Sequence, residues 1–175
     1  NISRKPKAPF NTSMLQQTAN SQINFSASQT MTVAQGLYMG VDIGLETIAL
    51  ITYMRTDSIS LSNDTLSVLR DKIKSEYGEE YVPKDPIIYK TKKKNAQEAH
   101  EAIRPTDINI HPESIKDSLT EEQFKLYNLI WRRTISSQMV NAETKLSTIR
   151  IANEDNSVLL KATIGKLIFD GYKKA

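Results

Sequence analysis

A tyrosine and an arginine stand two residues apart in the run Ile51–Ser58, flanked by hydroxyl side chains and one carboxylate. A tyrosine hydroxyl can act as a nucleophile that forms a covalent phosphoester, and an arginine offers planar, permanently charged donors to phosphate oxygens. If the run is extended, Tyr53 and Arg55 share one face and can address the same phosphate. The pattern favours chemistry on a phosphodiester, although a tyrosine beside an apolar run is also found half-buried for structural reasons alone.

A second run, Gln97–Thr106, holds one of only two histidines, two acids and an arginine within ten residues, and Pro105 ends any helix there. His100 could hold a phosphate or hydrogen-bond near the tyrosine hydroxyl, with Glu101 tuning it. The alternative is a histidine that is bonded for structural reasons.

Composition narrows the class of protein. A chain of 175 residues with 39% apolar content can bury one core, or a core and a minor lobe. No stretch approaches the ~18 apolar residues of a membrane span, and the polar, basic first residues do not resemble a signal peptide. With no cysteine, the chain has no disulfide and no thiolate zinc site. The net charge of +3 is too small to indicate a nucleic-acid binder.

The two runs closely resemble the signature segments of bacterial type IA DNA topoisomerases. Three further segments resemble that family in the same order, and they are Pro9–Gln17 (PFNTSMLQQ), Ala34–Tyr38 (AQGLY), and Ile130–Arg133 followed by Ser137–Met139. The resemblance runs from about Pro9 to Tyr172. Met54 favours the topoisomerase I branch, because the related topoisomerase III branch usually has proline there.

The resemblance implies an ATP-independent enzyme that relaxes negatively supercoiled DNA through a transient single-strand break with a 5′-phosphotyrosine link. It implies that Tyr53 is the nucleophile, that Arg55 orients the scissile phosphate, and that His100 belongs to the catalytic set. The expected DNA contacts are Thr12, Ser13, Gln16, Thr52, Thr56, Ser58 and Arg104. Arg104 could instead brace its own run. Asp57 is expected to be structural, because a carboxylate repels a phosphate, and His111 is expected on the surface.

The implied cofactor is Mg²⁺, which the family holds with an acidic Asp-x-Asp-x-Glu cluster that this sequence lacks. No metal site is therefore expected in this chain, and the isolated chain is expected to be inactive in relaxation while binding single strands weakly. The implied partners are single-stranded DNA, negatively supercoiled duplex DNA and the remaining domains of a longer polypeptide, since the chain looks like a fragment. The expected location is the bacterial cytoplasm, associated with the nucleoid and not with a membrane.

Caps and periodicities predict an α+β fold that is mainly helical. Thr12 and Ser28 are predicted to cap helices over residues 13–20 and 29–39, the second ending at Gly40, in a helix-turn-helix-like arrangement. Ser62 is predicted to start a third helix that ends at Gly78. A capping box of Thr120 and Gln123 predicts a long fourth helix. Its core stripe is expected to be Phe124, Tyr127, Trp131 and Ile135.

Alternating apolar residues on both sides of the polar turn Asn153–Asn156 predict an antiparallel hairpin near the end of the chain. By the resemblance, residues 13–139 form a helical domain that carries the active-site tyrosine. Residues 1–12 and 140–175 then supply strands of a β-rich arch, or hinge, domain.

Two other functions are compatible with the sequence. The first is a non-catalytic helix-turn-helix DNA-binding module with the hairpin as a wing. The second is a tyrosine recombinase fragment, but that class places its tyrosine after its histidines and arginines, whereas Tyr53 precedes both His100 and Arg104. The basic run Lys90–Lys94 could contact a DNA backbone, but a solvated loop is the more common role of such a run.

Overall fold

The computed structural model describes residues 1–44, 46–90, 101–154 and 157–175. Within these residues the α-helices are α1 (Thr12–Ile23), α2 (Ala27–Met39), α3 (Asn63–Tyr77) and α4 (Glu121–Ser137). The strands are β1 (Ile2–Arg4), β2 (Val41–Asp42), β3 (Thr47–Ile48), β4 (Ala142–Ala152) and β5 (Leu159–Phe169). Short 3-10 helices cover Glu79–Tyr81, Pro112–Ser118 and Gly171–Lys174. The predicted α+β class is confirmed.

The helix starts that depend on local sequence alone agree with prediction. The Ser62 hydroxyl accepts a hydrogen bond from the Thr65 amide and caps α3. The Thr120–Gln123 capping box is present at α4, with both of its reciprocal bonds formed. Each satisfies amide donors that a helix leaves open at its first turn.

Two predicted caps were wrong. The side chain that caps α1 is Asn11, which accepts from the Met14 amide at 2.9 Å, because the Thr12 hydroxyl is engaged elsewhere. Ser26 caps α2 in place of Ser28. The chain reverses at Asn24, whose backbone is left-handed with φ of 59°, and the cap Ser26 directly follows the buried Phe25.

The core lies where α4 packs against α1 and α2. The predicted stripe on α4 is buried at Tyr127, Trp131 and Ile135, while Phe124 is only half-buried. His111, expected on the surface, makes two contacts there. Its ring is half-buried with its centroid 4.6 Å from that of the Trp131 ring, and its Nδ1 accepts from the Glu113 amide at the start of a 3-10 helix.

The two ends of the chain meet in one antiparallel sheet with strand order β1-β4-β5. The predicted hairpin is confirmed as β4 and β5, although Asp155 and Asn156 of its turn lie outside the described residues. A 3-10 helix over Gly171–Lys174 follows β5. The β2–β3 pair was not predicted, since each strand has two residues. The division into two domains stays a prediction.

One face of the β4–β5 hairpin is more apolar than the other. Strand pairing puts one set of apolar side chains on a common face, and these are Ile149, Ile151, Leu160, Ile164 and Ile168. Each of them is between 51% and 62% exposed. The opposite side is mixed, because Thr148 and Thr163 face each other there next to Arg150 and Lys161, and the exposed Leu146, Leu159 and Leu167 share it. This hairpin therefore has a hydrophobic side that nothing in the described part of the chain covers.

None of the helices in the described part of the chain combines the length and the apolar character needed to cross a membrane.

Candidate active site

Tyr53 lies on an irregular segment that leaves the core after two fully buried residues, Leu50 and Ile51. Burial alternates along this segment, with Met54 and Thr56 buried and Tyr53 and Arg55 exposed. Tyr53 is 45% exposed, and Arg55 is exposed with no ion pair among the described residues. The alternation puts Tyr53 and Arg55 on the outward side, as an extended run requires.

Backbone hydrogen bonds fix where this segment leaves the core. The Leu50 amide donates to the Leu37 carbonyl of α2 at 2.8 Å, and the Thr106 amide donates to the Leu50 carbonyl at 3.1 Å. Ile51 forms an antiparallel bridge with Pro105. The tyrosine run and the second predicted run are therefore neighbours in space, although the sequence separates them by about fifty residues.

Thr52 joins the two runs through its backbone and its hydroxyl. The Thr52 amide donates to the Arg104 carbonyl at 2.9 Å. Its hydroxyl donates to the Ala102 carbonyl at 2.8 Å and accepts from the Arg104 amide at 3.0 Å. The Thr52 amide and hydroxyl both bond the neighbouring backbone, so the role of Thr52 in the structure is to position Tyr53.

Thr12 holds the other side of the segment. Its hydroxyl donates to the Met54 carbonyl at 2.8 Å and accepts from the Thr56 amide at 2.9 Å. The Thr12 amide donates to the Thr56 carbonyl at 3.0 Å. The Tyr53 segment is thus clamped by the first residue of α1 and by the second run, which together limit its freedom to move.

The other predicted DNA contacts are distributed around this clamp. The buried Thr56 hydroxyl accepts from the Ser58 amide at 3.0 Å, and the Ser58 hydroxyl accepts from the Ser60 amide at 3.2 Å. Ser13 is exposed and Gln16 is half-buried, one turn apart on α1. Ser13 is therefore the more accessible of these two side chains.

Replacing Thr52 with valine is expected to lower the free energy of unfolding by about 2 kcal/mol. Valine keeps the shape but leaves the Arg104 amide without its side-chain acceptor and the Ala102 carbonyl without its donor, and unsatisfied buried polar groups cost ~1–3 kcal/mol. Urea unfolding followed by circular dichroism measures the change. Thr52→Ser keeps the hydroxyl and serves as the matched control, so equal midpoints for the two variants would contradict the clamp.

Arg104 braces the second run. Its Nε donates to Glu101 Oε2 at 3.0 Å, its Nη2 also bonds that carboxylate, and its Nη1 donates to the Pro105 carbonyl at 2.8 Å. The second oxygen of Glu101 accepts from the Ser62 amide at 2.6 Å, at the start of α3. Of the two roles predicted for Arg104, the geometry favours bracing.

The Glu101 carboxyl titrates below its ordinary range. Burial alone would raise its pKa, but hydrogen bonds from Ser62 and the bonded, positively charged Arg104 outweigh burial and lower it. Because the folded pKa is the lower one, the ionised carboxylate stabilises the fold above the unfolded-state pKa. That contribution is lost as the pH falls through the folded pKa.

Glu101→Gln is expected to lower the free energy of unfolding by about 1 kcal/mol at neutral pH, a figure discounted for solvent screening. The difference from the parent chain should shrink as the pH falls below the ordinary glutamate range. Urea midpoints measured at several pH values test this. Glu46→Gln, at an exposed carboxylate without an ion pair in the described structure, is the control and should show no pH-dependent difference. A constant difference for Glu101→Gln would contradict the role of its charge.

Tyr38 is a residue to which the sequence patterns assigned no role. It lies at the end of α2, and its ring meets the Tyr53 ring in an edge-to-face contact with centroids 5.3 Å apart and planes at 62°. This arrangement is favourable for aromatic pairs and restricts the rotation of Tyr53. The signal in the sequence is an aromatic residue two positions before the Gly40 helix stop that leads to the tyrosine run.

His100 and residues 91–94 of the basic run lie outside the described residues, so the predictions for them stay predictions. Within the described part of the chain, no three His, Cys, Asp or Glu side chains are grouped as a metal ion would need. The geometry therefore brings together Tyr53, Arg55, Tyr38 and the two threonine clamps.

Comparison with known proteins identifies the family of this chain. A family model described as DNA topoisomerase matches residues 1–175. The chain is 53% identical over 171 residues to DNA topoisomerase 1 of Rickettsia felis, and 46% identical over 166 residues to that of Helicobacter pylori strain 26695. These matches cover 98% and 95% of this chain and 22% of each relative.

A solved structure of full-length topoisomerase I from Thermotoga maritima is similar as well. Its TM-score is 0.86 at 41% identity, and the match covers 99% of this chain and 27% of the Thermotoga chain. The present chain thus spans roughly a fifth to a quarter of these proteins. With a family match along its whole length, the chain belongs to the bacterial DNA topoisomerases of type IA.

Proposed function

We propose that this chain is the tyrosine-bearing part of an enzyme that relaxes negatively supercoiled DNA by a transient break in one strand. The observation that carries the proposal is the exposed Tyr53 on a backbone clamped from two sides, with the exposed Arg55 two residues further on. A nucleophile needs both access to its substrate and a fixed position.

In the proposed reaction the Tyr53 phenol oxygen forms a bond to a backbone phosphorus, and the bond from that phosphorus to the 3′ oxygen breaks. The DNA 5′ phosphate stays on the tyrosine, the phenol proton leaves, and the departing 3′ oxygen gains a proton. One phosphodiester replaces another, so the reverse attack by the 3′ hydroxyl restores the strand without ATP. Arg55 is proposed to orient the phosphate and to offset negative charge in the transition state.

His100 is proposed to contact a phosphate or the region of the tyrosine hydroxyl. Ser13, Gln16 and Ser58 are proposed as DNA contacts. For Thr12, Thr52, Thr56 and Arg104, the hydrogen bonds described above support a role in holding the backbone beneath Tyr53.

Magnesium is proposed as the cofactor of the longer enzyme. The residues described in this chain do not offer a set of ligands for it, so we derive no step through the metal. The ligands are proposed to lie in another part of the longer polypeptide.

Residues 1–12 and 140–175 are proposed to belong to a β-rich arch domain and residues 13–139 to the tyrosine domain. The β1–β4 pairing and the uncovered apolar side of the hairpin support this division. The remaining domains of the polypeptide are the proposed partners, and the bacterial cytoplasm with its nucleoid is the proposed location.

The test uses single-stranded DNA labelled at its 3′ end, incubated with this chain alone or together with the remaining domains of a full-length relative, and then denatured. We expect label on this chain only in the mixture. The same DNA labelled at its 5′ end should leave the protein unlabelled, which fixes the polarity of the link. No adduct in the mixture, with both parts folded, would overturn the proposal and favour a DNA-binding module without catalysis.

A further inference from the structure

A basic cleft lies between α4, the segment before α1 and the 3-10 helix at Gly171–Lys174. Its volume is about 540 Å³. Five cationic side chains line it, and they are Lys7, Lys125, Arg132, Arg133 and Lys173. No Asp or Glu side chain of the described structure lines this cleft, but Ala175 does, and the Arg132 Nη2 donates to its carbonyl oxygen at 2.8 Å.

The sequence puts these charges together by helix geometry. Lys125, Arg132 and Ser136 are spaced by seven and four residues and lie on one face of α4. Lys7 and Lys173 approach the same face from outside the helix. Neither the Tyr53 segment nor the run 101–106 contributes to the cleft lining, so the cleft is separate from the candidate active site.

Among the residues that line the cleft, Arg133 gives the strongest indication that the cleft binds an anion. Its guanidinium carbon lies 4.2 Å from the centroid of the Phe10 ring, and its Nη1 donates to the Ala8 carbonyl at 3.3 Å. Burial lowers the pKa of Arg133, yet an arginine keeps its charge. It forms no ion pair with a carboxylate in the described part of the chain. Among the five cations only Lys125 has such a pair, with Glu121.

A half-buried charge without a counter-charge is costly, and several like charges around one cleft repel each other. A polyanion in the cleft offsets both costs. Arginine and lysine together suit phosphate groups. The planar guanidinium can bond two phosphate oxygens at once, and the lysine ammonium, on its flexible stem, can adjust to the position of a phosphate.

We propose that this cleft binds the phosphate backbone of a DNA strand, at a site apart from Tyr53. The proposal rests on the proposed function for the identity of the anion. The cleft then holds a length of single strand outside the region where the break is made, independently of base sequence.

The test is binding of a fluorescent oligothymidylate to this chain, measured by anisotropy over a series of NaCl concentrations. The variant carries Lys7→Gln, Arg132→Gln and Lys173→Gln, three exposed positions that are free of carboxylate pairs in the described structure. For this variant, the magnitude of the slope of log affinity against log salt is expected to decrease by about 2, since each of the three lost phosphate contacts on a single strand contributes roughly 0.7. Lys173→Gln alone should lower it by about 0.7.

The matched control carries Lys145→Gln, Lys161→Gln and Lys166→Gln, which remove the same charge from the exposed β4–β5 hairpin. Equal slopes for the two triple variants would overturn the proposal, as would the absence of binding by the parent chain. Polyglutamate of equal charge that competes as well as the oligonucleotide would also overturn it, in favour of an acidic protein segment.

The adduct experiment separates this proposal from the function on which it rests. If the mixture forms the tyrosine adduct and the cleft variant keeps the parent slope, the cleft site is wrong and the function stands. If the slope falls as expected and no adduct forms, the cleft binds DNA and the catalytic proposal is wrong.

Discussion

Tyr53→Phe is expected to abolish the covalent adduct with single-stranded DNA, with no label above background, while Tyr38→Phe retains it. Both tyrosines are exposed, at 45% and 37%, and their rings touch. Phenylalanine keeps each ring and its edge-to-face contact but removes the oxygen, so only the loss of a nucleophile distinguishes the two variants. The change at Tyr53 removes the atom that forms the ester.

The measurement is the denaturing label-transfer assay with the complementary domains present, using equal amounts of the two variants. Their urea midpoints should agree with that of the parent chain to within about 0.5 kcal/mol in unfolding free energy, as is usual for exposed positions. An adduct that persists in Tyr53→Phe and disappears in Tyr38→Phe would contradict the proposal and show that Tyr38 is the nucleophile.

Trp131→Ala is expected to lower the free energy of unfolding by about 4 kcal/mol, the largest stability effect of a single substitution proposed for this chain. Trp131 is 2% exposed, its ring meets His111, and its Nε1 donates to the Ile108 carbonyl at 2.9 Å. Alanine leaves a large cavity and also removes the donor for that buried carbonyl. Ile108 lies two residues after the run 101–106, so this indole also anchors the segment that holds Thr52.

Urea or guanidinium unfolding measures the loss, and Trp131→Phe is the graded control. Phenylalanine fills most of the volume but cannot donate to the Ile108 carbonyl, and a cost of about 2 kcal/mol is expected. If both variants unfolded with equal midpoints, packing would contribute nothing beyond the hydrogen bond, and the cavity argument would be wrong.

The sequence predicts best the features that form within a few residues. The α3 cap, the α4 capping box and the β4–β5 hairpin depend on neighbours in the chain, and all three are present. The α2 cap lies two residues before the predicted one, at Ser26, whereas the α1 cap was displaced by distant groups. Thr12 is engaged by the Met54 and Thr56 backbone, more than forty residues away, which leaves Asn11 as the cap.

The candidate site shows the same division. The outward position of Tyr53 and Arg55 could be predicted from their spacing in an extended run, and both side chains are exposed, while their chemistry stays a prediction. The clamp through Thr52 could not, because its hydroxyl bonds the backbone of residues fifty positions away, and no local pattern specifies such a pair. The Tyr38 ring contact is hidden for the same reason, since the β2–β3 pair lies between the two tyrosines in the sequence.

The uncovered apolar side of the β4–β5 hairpin has a consequence for how the isolated chain behaves in solution. β5 is the outer strand of its sheet, so its free backbone edge adjoins a row of exposed isoleucines and a leucine. Such edges pair readily with other chains. We therefore expect this hairpin to limit the colloidal lifetime of a concentrated sample, and a charge placed at Ile151 or Ile164 to extend that lifetime.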